Sequence, residues 1–330
     1  APADKLPVMK LLVTGSRGFV GRGLCTRLAA HGHTGIASGR ELPLGLPAGW
    51  TGETRHTLLD DALSPHERLP ALDAVVHLEV KQHVPRPTRA DVDAFAAVNV
   101  AGTRAWLEWA SQRGIGGFVF LSSIKAVAAG VGPMGESSPP EQESPYGRSK
   151  AEAEAAVREW AAADPGRRAV ILRPAPVYGP ENEANLAAFV RQILAGKPCL
   201  IGRGETRKSI VSRTNLCGAI EFAATTAQPG CEVFNVSDRE TPSLAELARV
   251  IADLADTSPP RSIPRWLARL AAPIGDVIET MTHRDFPLTT ARLKAIEETT
   301  IFPSHKLVAA GFVHPQTTRE GLAEMIAWAT

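Results

Sequence analysis

Three glycines place the strongest constraint on how this chain folds. Gly15, Gly18 and Gly21 stand three residues apart, after an apolar run (Lys10–Thr14) and at the start of a helical pattern (Phe19–Ala30). Gly15 permits a tight turn, and Gly18 lets backbone approach an anion. Gly21 lets helix and strand pack closely, while the helix N-terminus turns free N–H groups toward a pyrophosphate. A purely structural βα turn also uses glycine. The strand before and the helix after turn the spacing into a dinucleotide-binding signature. The expected cofactor contacts are therefore Gly15, Ser16, Arg17, Gly18, Phe19, Val20 and Gly21.

The alternation continues. Residues 34–37, 55–58, 74–78, 118–122 and 169–173 read as strands, with long helices over 91–113 and 145–163. Strands that alternate with helices predict an α/β fold, a Rossmann-type doubly wound parallel sheet. After Pro180 helical patterns dominate (184–195, 214–227, 243–254, 266–278), so a smaller, partly helical C-terminal lobe is expected. The division expected is a dinucleotide-binding domain over 1–178 and a substrate-binding lobe over 179–330, with strand 232–236 free to return to the sheet. Met9 opens the first patterned segment, so residues 1–8 read as a tag or a short disordered extension. Segment 130–144, rich in Gly, Pro, Ser and Glu, reads as a functional or mobile loop. Trp266, Leu267, Leu270, Ile274, Val277 and Ile278 fall near helical spacing. Packing against their own lobe is the expected role of that face, with a subunit or membrane-surface contact as the alternative.

Composition narrows the classes. Lys and Arg total 36 against 35 Asp and Glu, a net charge of +1, which provides no basic footprint for nucleic acid. With 44% hydrophobic residues the chain can bury a core, and no apolar run reaches the length of a membrane span. Four cysteines (Cys25, Cys199, Cys217, Cys231) without metal-ligand or disulfide-framework spacing suit a reducing, cytoplasmic compartment, and no metal site is expected.

The second strand speaks to the cofactor. A site for NAD usually carries an acid at its end, whereas this chain has Ala37-Ser38-Gly39-Arg40 and no carboxylate before Glu41. Arg40 and Arg17 together suit a 2′-phosphate, so NADP(H) is favoured, with NAD(H) the alternative. Of the two tyrosines, Tyr146 lies four residues before Lys150 at a helix start, so both side chains share a face. A phenol needs its pKa lowered by about three units for acid/base work near neutrality, and a nearby ammonium supplies an interaction of that order. An exposed structural Tyr–Lys pair is the competing explanation. Leu121-Ser122-Ser123 ends the fifth strand with two hydroxyls, where ligands of open α/β sheets lie.

The glycine loop, Val76-His77-Leu78, Asn99…Gly102-Thr103, Leu121-Ser122-Ser123, Tyr146…Lys150 and Leu172-Arg173-Pro174-Ala175-Pro176-Val177-Tyr178-Gly179-Pro180 occur in that order. In this the whole chain resembles the extended short-chain dehydrogenase/reductases, and most closely their nucleotide-sugar epimerase/dehydratase branch. Ser123-Ile124-Lys125 and Pro145–Lys150 are similar to 4-keto-6-deoxy-sugar reductases and 4-epimerases of surface polysaccharide synthesis. The resemblance implies Tyr146 as acid/base, Ser123 as the hydroxyl on the reacting oxygen, and Lys150 as the group that binds the nicotinamide ribose and lowers the tyrosine pKa. It implies further cofactor contacts at Arg40, Thr57, Leu58, Leu78, Glu79, Asn99, Pro174 and Val177. Substrate contacts would come from Lys125, Asn185 and Arg207, and the assembly would be a homodimer. Arg207 also follows a Gly-rich turn (Gly202-Arg203-Gly204) that suits an anion, with a solvated basic turn as the competing explanation.

Departures from the family pattern sharpen the expectation. Glu79 stands where a small residue is usual and would crowd a cofactor phosphate if it pointed inward. The acid after the third strand is replaced by Thr57, with Asp60 and Asp61 downstream. Ile124-Lys125 replaces the Asp-Glu pair of the 4,6-dehydratases, which argues against water elimination. The expected activity is an NADP(H)-dependent reduction of a 4-keto group on a nucleoside-diphosphate sugar. A 4-epimerase with bound NAD is the alternative, and a silent cofactor-sensing scaffold is the alternative of another class.

Overall fold

The computed structural model describes residues 7–329, apart from 42–44, 61–68, 129, 131, 184, 199, 283–285 and 287. Most of the expected N-terminal extension (residues 1–6), Asp61, Cys199 and the first residue of helix 184–195 therefore lie outside the described residues.

The first half runs β1 (Lys10–Thr14), α1 (Phe19–Ala30), β2 (Thr34–Gly39), β3 (Trp50–Thr54), α2 (Arg55–Leu59), β4 (Ala74–His77), α3 (Arg89–Ala94), α4 (Gly102–Gln112), β5 (Gly117–Leu121), α5 (Pro145–Ala162), β6 (Arg168–Pro174) and β7 (Val177–Tyr178). The second half runs α6 (Asn185–Leu194), β8 (Leu200–Ile201), β9 (Val211–Ser212), α7 (Arg213–Thr226), β10 (Gly230–Val236), α8 (Leu244–Leu254), β11 (Ser262–Ile263), α9 (Arg265–Thr282), α10 (Thr290–Glu297), α11 (His305–Ala309) and α12 (Thr318–Ala329).

Seven strands form one parallel sheet in the order β10-β6-β5-β4-β1-β2-β3. The chain winds outward from β1 in both directions, so the order reverses between β1 and β4 and opens a crevice above their C-terminal ends. The strands alternate their side chains between two buried faces, as a sheet covered on both sides requires. Leu11, Val13, Val76, Val119 and Leu172 pack with Leu24 and Leu28 of α1 and Leu216 and Ile220 of α7. Leu12, Val75, Phe118, Phe120 and Ile171 face Trp106 and Trp109 of α4 and Val157 and Trp160 of α5. β10 pairs with β6 and α7 covers the sheet, so the segment after residue 178 returns to the first layer before the lobe is completed. That lobe closes over Val190, Ile193, Leu247, Ile251, Leu322 and Met325.

Three expectations need correcting. The third strand is β3 (Trp50–Thr54), and residues 55–59 form the short helix α2 instead. Thr54 caps that helix by accepting from Thr57 N–H, and Leu58 turns into the core. The helix expected over 91–113 is interrupted by a π-helical stretch, Phe95–Ala101. The wider turn, a feature common at functional sites, buries both Phe95 and Asn99. The large apolar residues of α9, expected to pack on their own lobe, face outward. Trp266, Leu267, Leu270, Ile274 and Val277 are 44–64% exposed, because Ala268, Ala272 and Gly275 form the buried face.

Candidate active site

The glycine loop holds the geometry its spacing demands. Gly15 adopts φ +66°, and a Cβ at Gly21 would sit 2.4 Å from the Gly15 carbonyl oxygen. No residue at that position except glycine lets α1 approach the turn this closely. No side chain caps the N-terminus of α1, so its first N–H groups are open to an anion. The Ser38 hydroxyl, at the end of β2, is buried without a partner. An anion cradle that a single methyl group would fill, beside an orphan hydroxyl at the neighbouring strand end, fits a dinucleotide.

The charges around this cradle differ from the simplest expectation. Arg17 pairs with Glu41, so the guanidinium expected to meet a 2′-phosphate already has a carboxylate partner. Arg40 is exposed beyond the end of β2. Glu79 does not crowd the loop, because its carboxylate accepts from Arg55 Nε and Trp106 Nε1, each at 3.1 Å. Its backbone N–H and that of Leu78 turn back to Thr14 Oγ1 beside the glycine turn.

Thr14 begins a buried relay. Its hydroxyl lies 2.8 Å from His77 Nδ1, and His77 Nε2 lies 3.2 Å from Thr103 Oγ1. Burial pushes the His77 pKa down to about 3, with Lys150 and Arg55 adding to the shift, so the ring is neutral and acts as a strut. Asn99 serves positioning too. Its side chain accepts from Lys81 N–H and donates to Ser149 Oγ at 3.0 Å, tying the loop after β4 to α5.

The candidate catalytic residues assemble at the C-terminal edge of β5. Ser123 and Tyr146 come together there, close enough for the serine hydroxyl to pull the tyrosine pKa down. Ser123 is placed by its own cap on the following turn, where it accepts from Lys125 N–H at 3.1 Å. Tyr146 is placed by Ser144, which caps α5 by accepting from Gly147 N–H. Lys150, one turn along α5, is 1% exposed. It donates to the Leu121 carbonyl at 2.8 Å, and its nitrogen sits 4.2 Å from the Phe120 ring centroid. Ser122, next to Ser123, donates to Glu154 at 2.6 Å.

The electrostatics correct one expectation. The tyrosine pKa is raised rather than lowered, because burial outweighs the hydrogen bond from Ser123. Burial also pushes Lys150 down to about 7, against the pull of Glu154. An ammonium that is half-deprotonated near neutrality exerts less pull on the phenol than a full charge would.

Sequence reasoning missed His83. Its ring meets Tyr146 edge-on at 5.6 Å, as Phe95 does from another side, and its Nε2 lies 3.4 Å from Lys125 Nζ. It sits in an unpatterned loop, where no periodicity flags it. Lys125 is thus brought to the site, with its pKa lowered by burial. Arg207 donates to the Thr241 carbonyl at 2.7 Å and reaches Glu246 at 3.4 Å. Asn185 opens α6. Because β3 ends at Thr54, Thr54 and Arg55 stand at its C-terminal end where Thr57 and Leu58 were expected. Pro174 closes β6, and Val177 opens β7 at the crevice. The second tyrosine, Tyr178, is structural: it is buried and donates to Asp238 at 2.7 Å.

A doubly wound sheet with this glycine cradle and a Ser-Tyr-Lys group at its edge defines an enzyme that works with a nicotinamide dinucleotide. The chain belongs to the NAD dependent epimerase/dehydratase family, whose model matches residues 11–237. It is 32% identical over 260 residues to a UDP-glucose 4-epimerase of Vibrio cholerae, covering 77% of this chain and 78% of the relative. It is 28% identical over 258 residues to the N-acetyl-alpha-D-glucosaminyl-diphospho-ditrans,octacis-undecaprenol 4-epimerase of Escherichia coli O157:H7, covering 78% and 77%. A GDP-6-deoxy-D-mannose reductase of Pseudomonas aeruginosa is 30% identical over 260 residues, covering 74% and 80%. Among solved structures, the UDP-glucuronic acid 4-epimerase of Bacillus cereus with NAD shares the fold. Its TM-score is 0.73 at 19% identity, over 97% of this chain and 98% of that one.

Proposed function

We propose that the chain is a 4-epimerase of diphosphate-linked sugars that keeps its nicotinamide cofactor bound through the cycle. The observation that carries this reading is the convergence of Ser123 and Tyr146 at the C-terminal end of β5, with Lys150 buried beside them and bonded to the Leu121 carbonyl. The cofactor, when bound, would accept and return a hydride. Gly15, Gly18, Gly21 and the N-terminus of α1 would hold its pyrophosphate. Tyr146 takes the proton from the sugar C4 hydroxyl and gives it back after the ring has turned, while Ser123 orients the reacting oxygen. Lys150 would bind the nicotinamide ribose. Once it carries its proton there, it offsets the burial that raises the tyrosine pKa. His83, Phe95 and Lys125 wall the sugar side. Relatives whose names specify a UDP-sugar or an undecaprenol-diphosphate sugar support a sugar diphosphate as the shared substrate class. The free thiols of Cys25, Cys217 and Cys231 suit a reducing, cytoplasmic compartment, and we keep a homodimer as the proposed assembly.

The NADP(H)-dependent 4-keto reductase is the second reading, favoured by exposed Arg40 and by the absence of a carboxylate before Glu41. It loses ground because Glu41 engages Arg17. Incubation with UDP-sugars and no added cofactor separates the two. An epimerase interconverts the C4 epimers without net redox and releases NAD on denaturation. A reductase gives no epimer under those conditions and, supplied with a 4-keto sugar and NADPH, consumes the NADPH mole for mole. Glu41→Gln, which frees Arg17, should raise affinity for NADP(H) relative to NAD(H) by about tenfold, ~1.4 kcal/mol, measured by fluorescence titration at fixed salt.

A further inference from the structure

Helix α9 is packed inside out. Its buried face is made of Ala268, Ala272, Gly275 and Glu279, and a Cβ on Gly275 would meet the Leu288 carbonyl oxygen at 1.9 Å. Its large residues point away. Trp266, Leu267, Leu270, Ile274, Val277 and Met281 are 44–77% exposed and lie within one arc of about 100° on the helix. Among the described residues the other exposed large hydrophobics are Val8, Val308 and Val313, isolated from this stripe in sequence. Soluble monomers rarely hold so continuous an apolar strip open to water.

Two observations indicate what covers it. The first is size and charge. A stable protein interface uses about 20–30 residues a side, whereas this stripe offers six on one protruding helix. Its N-terminal half carries Arg265 and Arg269, which with Arg203 share the carboxylates of Glu205 and Glu297, and exposed Arg261 precedes the helix, so arginines outnumber carboxylates there. An aromatic and aliphatic face with arginines along its border matches an amphipathic helix lying in the plane of an anionic bilayer. The second is position. Glu279, on the buried side of α9, holds Arg86 at 2.7 Å, and Arg86 belongs to the loop after β4 that carries His83 against Tyr146. The stripe and the active-site loop are therefore joined directly. No described helix is long and apolar enough to cross a membrane.

We propose that α9 is an interfacial helix that seats the protein on an anionic lipid surface through its Trp266–Met281 stripe. This is independent of the reaction at Tyr146, because binding is read without turnover. The full chain should float with phosphatidylcholine vesicles that contain phosphatidylglycerol, and less with phosphatidylcholine alone. Trp266 emission should shift to the blue as vesicles are added, and Trp266→Phe should lose that shift. Leu270→Glu/Ile274→Glu should lower the bound fraction at least about tenfold. Its turnover of a water-soluble nucleotide sugar should not change. Absence of flotation by the unaltered protein would overturn the proposal. So would sedimentation velocity showing an oligomer that the same double variant splits into monomers, since a second copy would then be what covers the stripe.

Discussion

Two helices of 18 residues each, α5 and α9, use their side chains in opposite ways. α5 buries Val157, Trp160, Lys150 and Glu154 against the sheet and leaves Arg148, Glu152 and Glu159 in water. α9 buries alanine and glycine and exposes tryptophan, leucine and isoleucine. The first is held by what it packs against. The second owes little of its stability to its largest residues, which leaves them open to another partner. Buried charge makes the same point. Glu154 is 1% exposed and is gripped by Arg173, Nε at 2.8 Å and a second nitrogen at 2.6 Å, with Ser122 and Arg158 completing its bonds.

The largest stability effect should therefore fall on α5. Glu154→Leu leaves the Arg173 guanidinium buried without its carboxylate and should cost about 3–5 kcal/mol in urea denaturation. A loss within ~0.5 kcal/mol would break the contrast. The sign with pH follows from the same pair. Burial raises the Glu154 pKa, but bonds from Arg173 and Ser122 overcome it and hold the carboxyl below its usual range. Its stabilisation is present above the unfolded value and is lost as pH falls through the folded one.

Next comes Lys150, whose pKa burial holds at about 7 against an ordinary 10.5. Between those values the unfolded chain carries a proton that the folded chain does not, so stability should rise with pH across that window. Lys150→Met should flatten this rise in melting curves recorded from neutral to alkaline pH. An unchanged slope would show that the lysine is charged in the fold. The smallest effect belongs to α9: Leu270→Ser should change folding stability by no more than about 0.5 kcal/mol, measured by the same urea titration. A loss above ~2 kcal/mol would mean that the stripe packs within the chain after all.

The contrast also marks what the sequence could tell. The glycine loop, β1, β4, β5, β6 and the Ser123, Tyr146 and Lys150 set were legible, because each depends on local spacing. The third strand was misplaced because Thr57 and Leu58 have strand-like side chains, and the cap supplied by Thr54 decided for helix. The hydrophobic spacing of α9 was visible, but periodicity gives the width of an apolar face and not its direction. That direction is set by how closely Gly275 lets the backbone of Leu288 approach. His83 and the Arg17–Glu41 pair arise from loop geometry, which leaves no pattern in the chain.

The central claim is that the Tyr146 hydroxyl moves the proton of the reacting sugar oxygen. Turnover of Tyr146→Phe on a UDP-sugar tests it most directly. The variant should lose at least ~10²-fold in kcat, with cofactor affinity nearly unchanged, because the phenol acts on the substrate oxygen. Near-full turnover in Tyr146→Phe would contradict the mechanism.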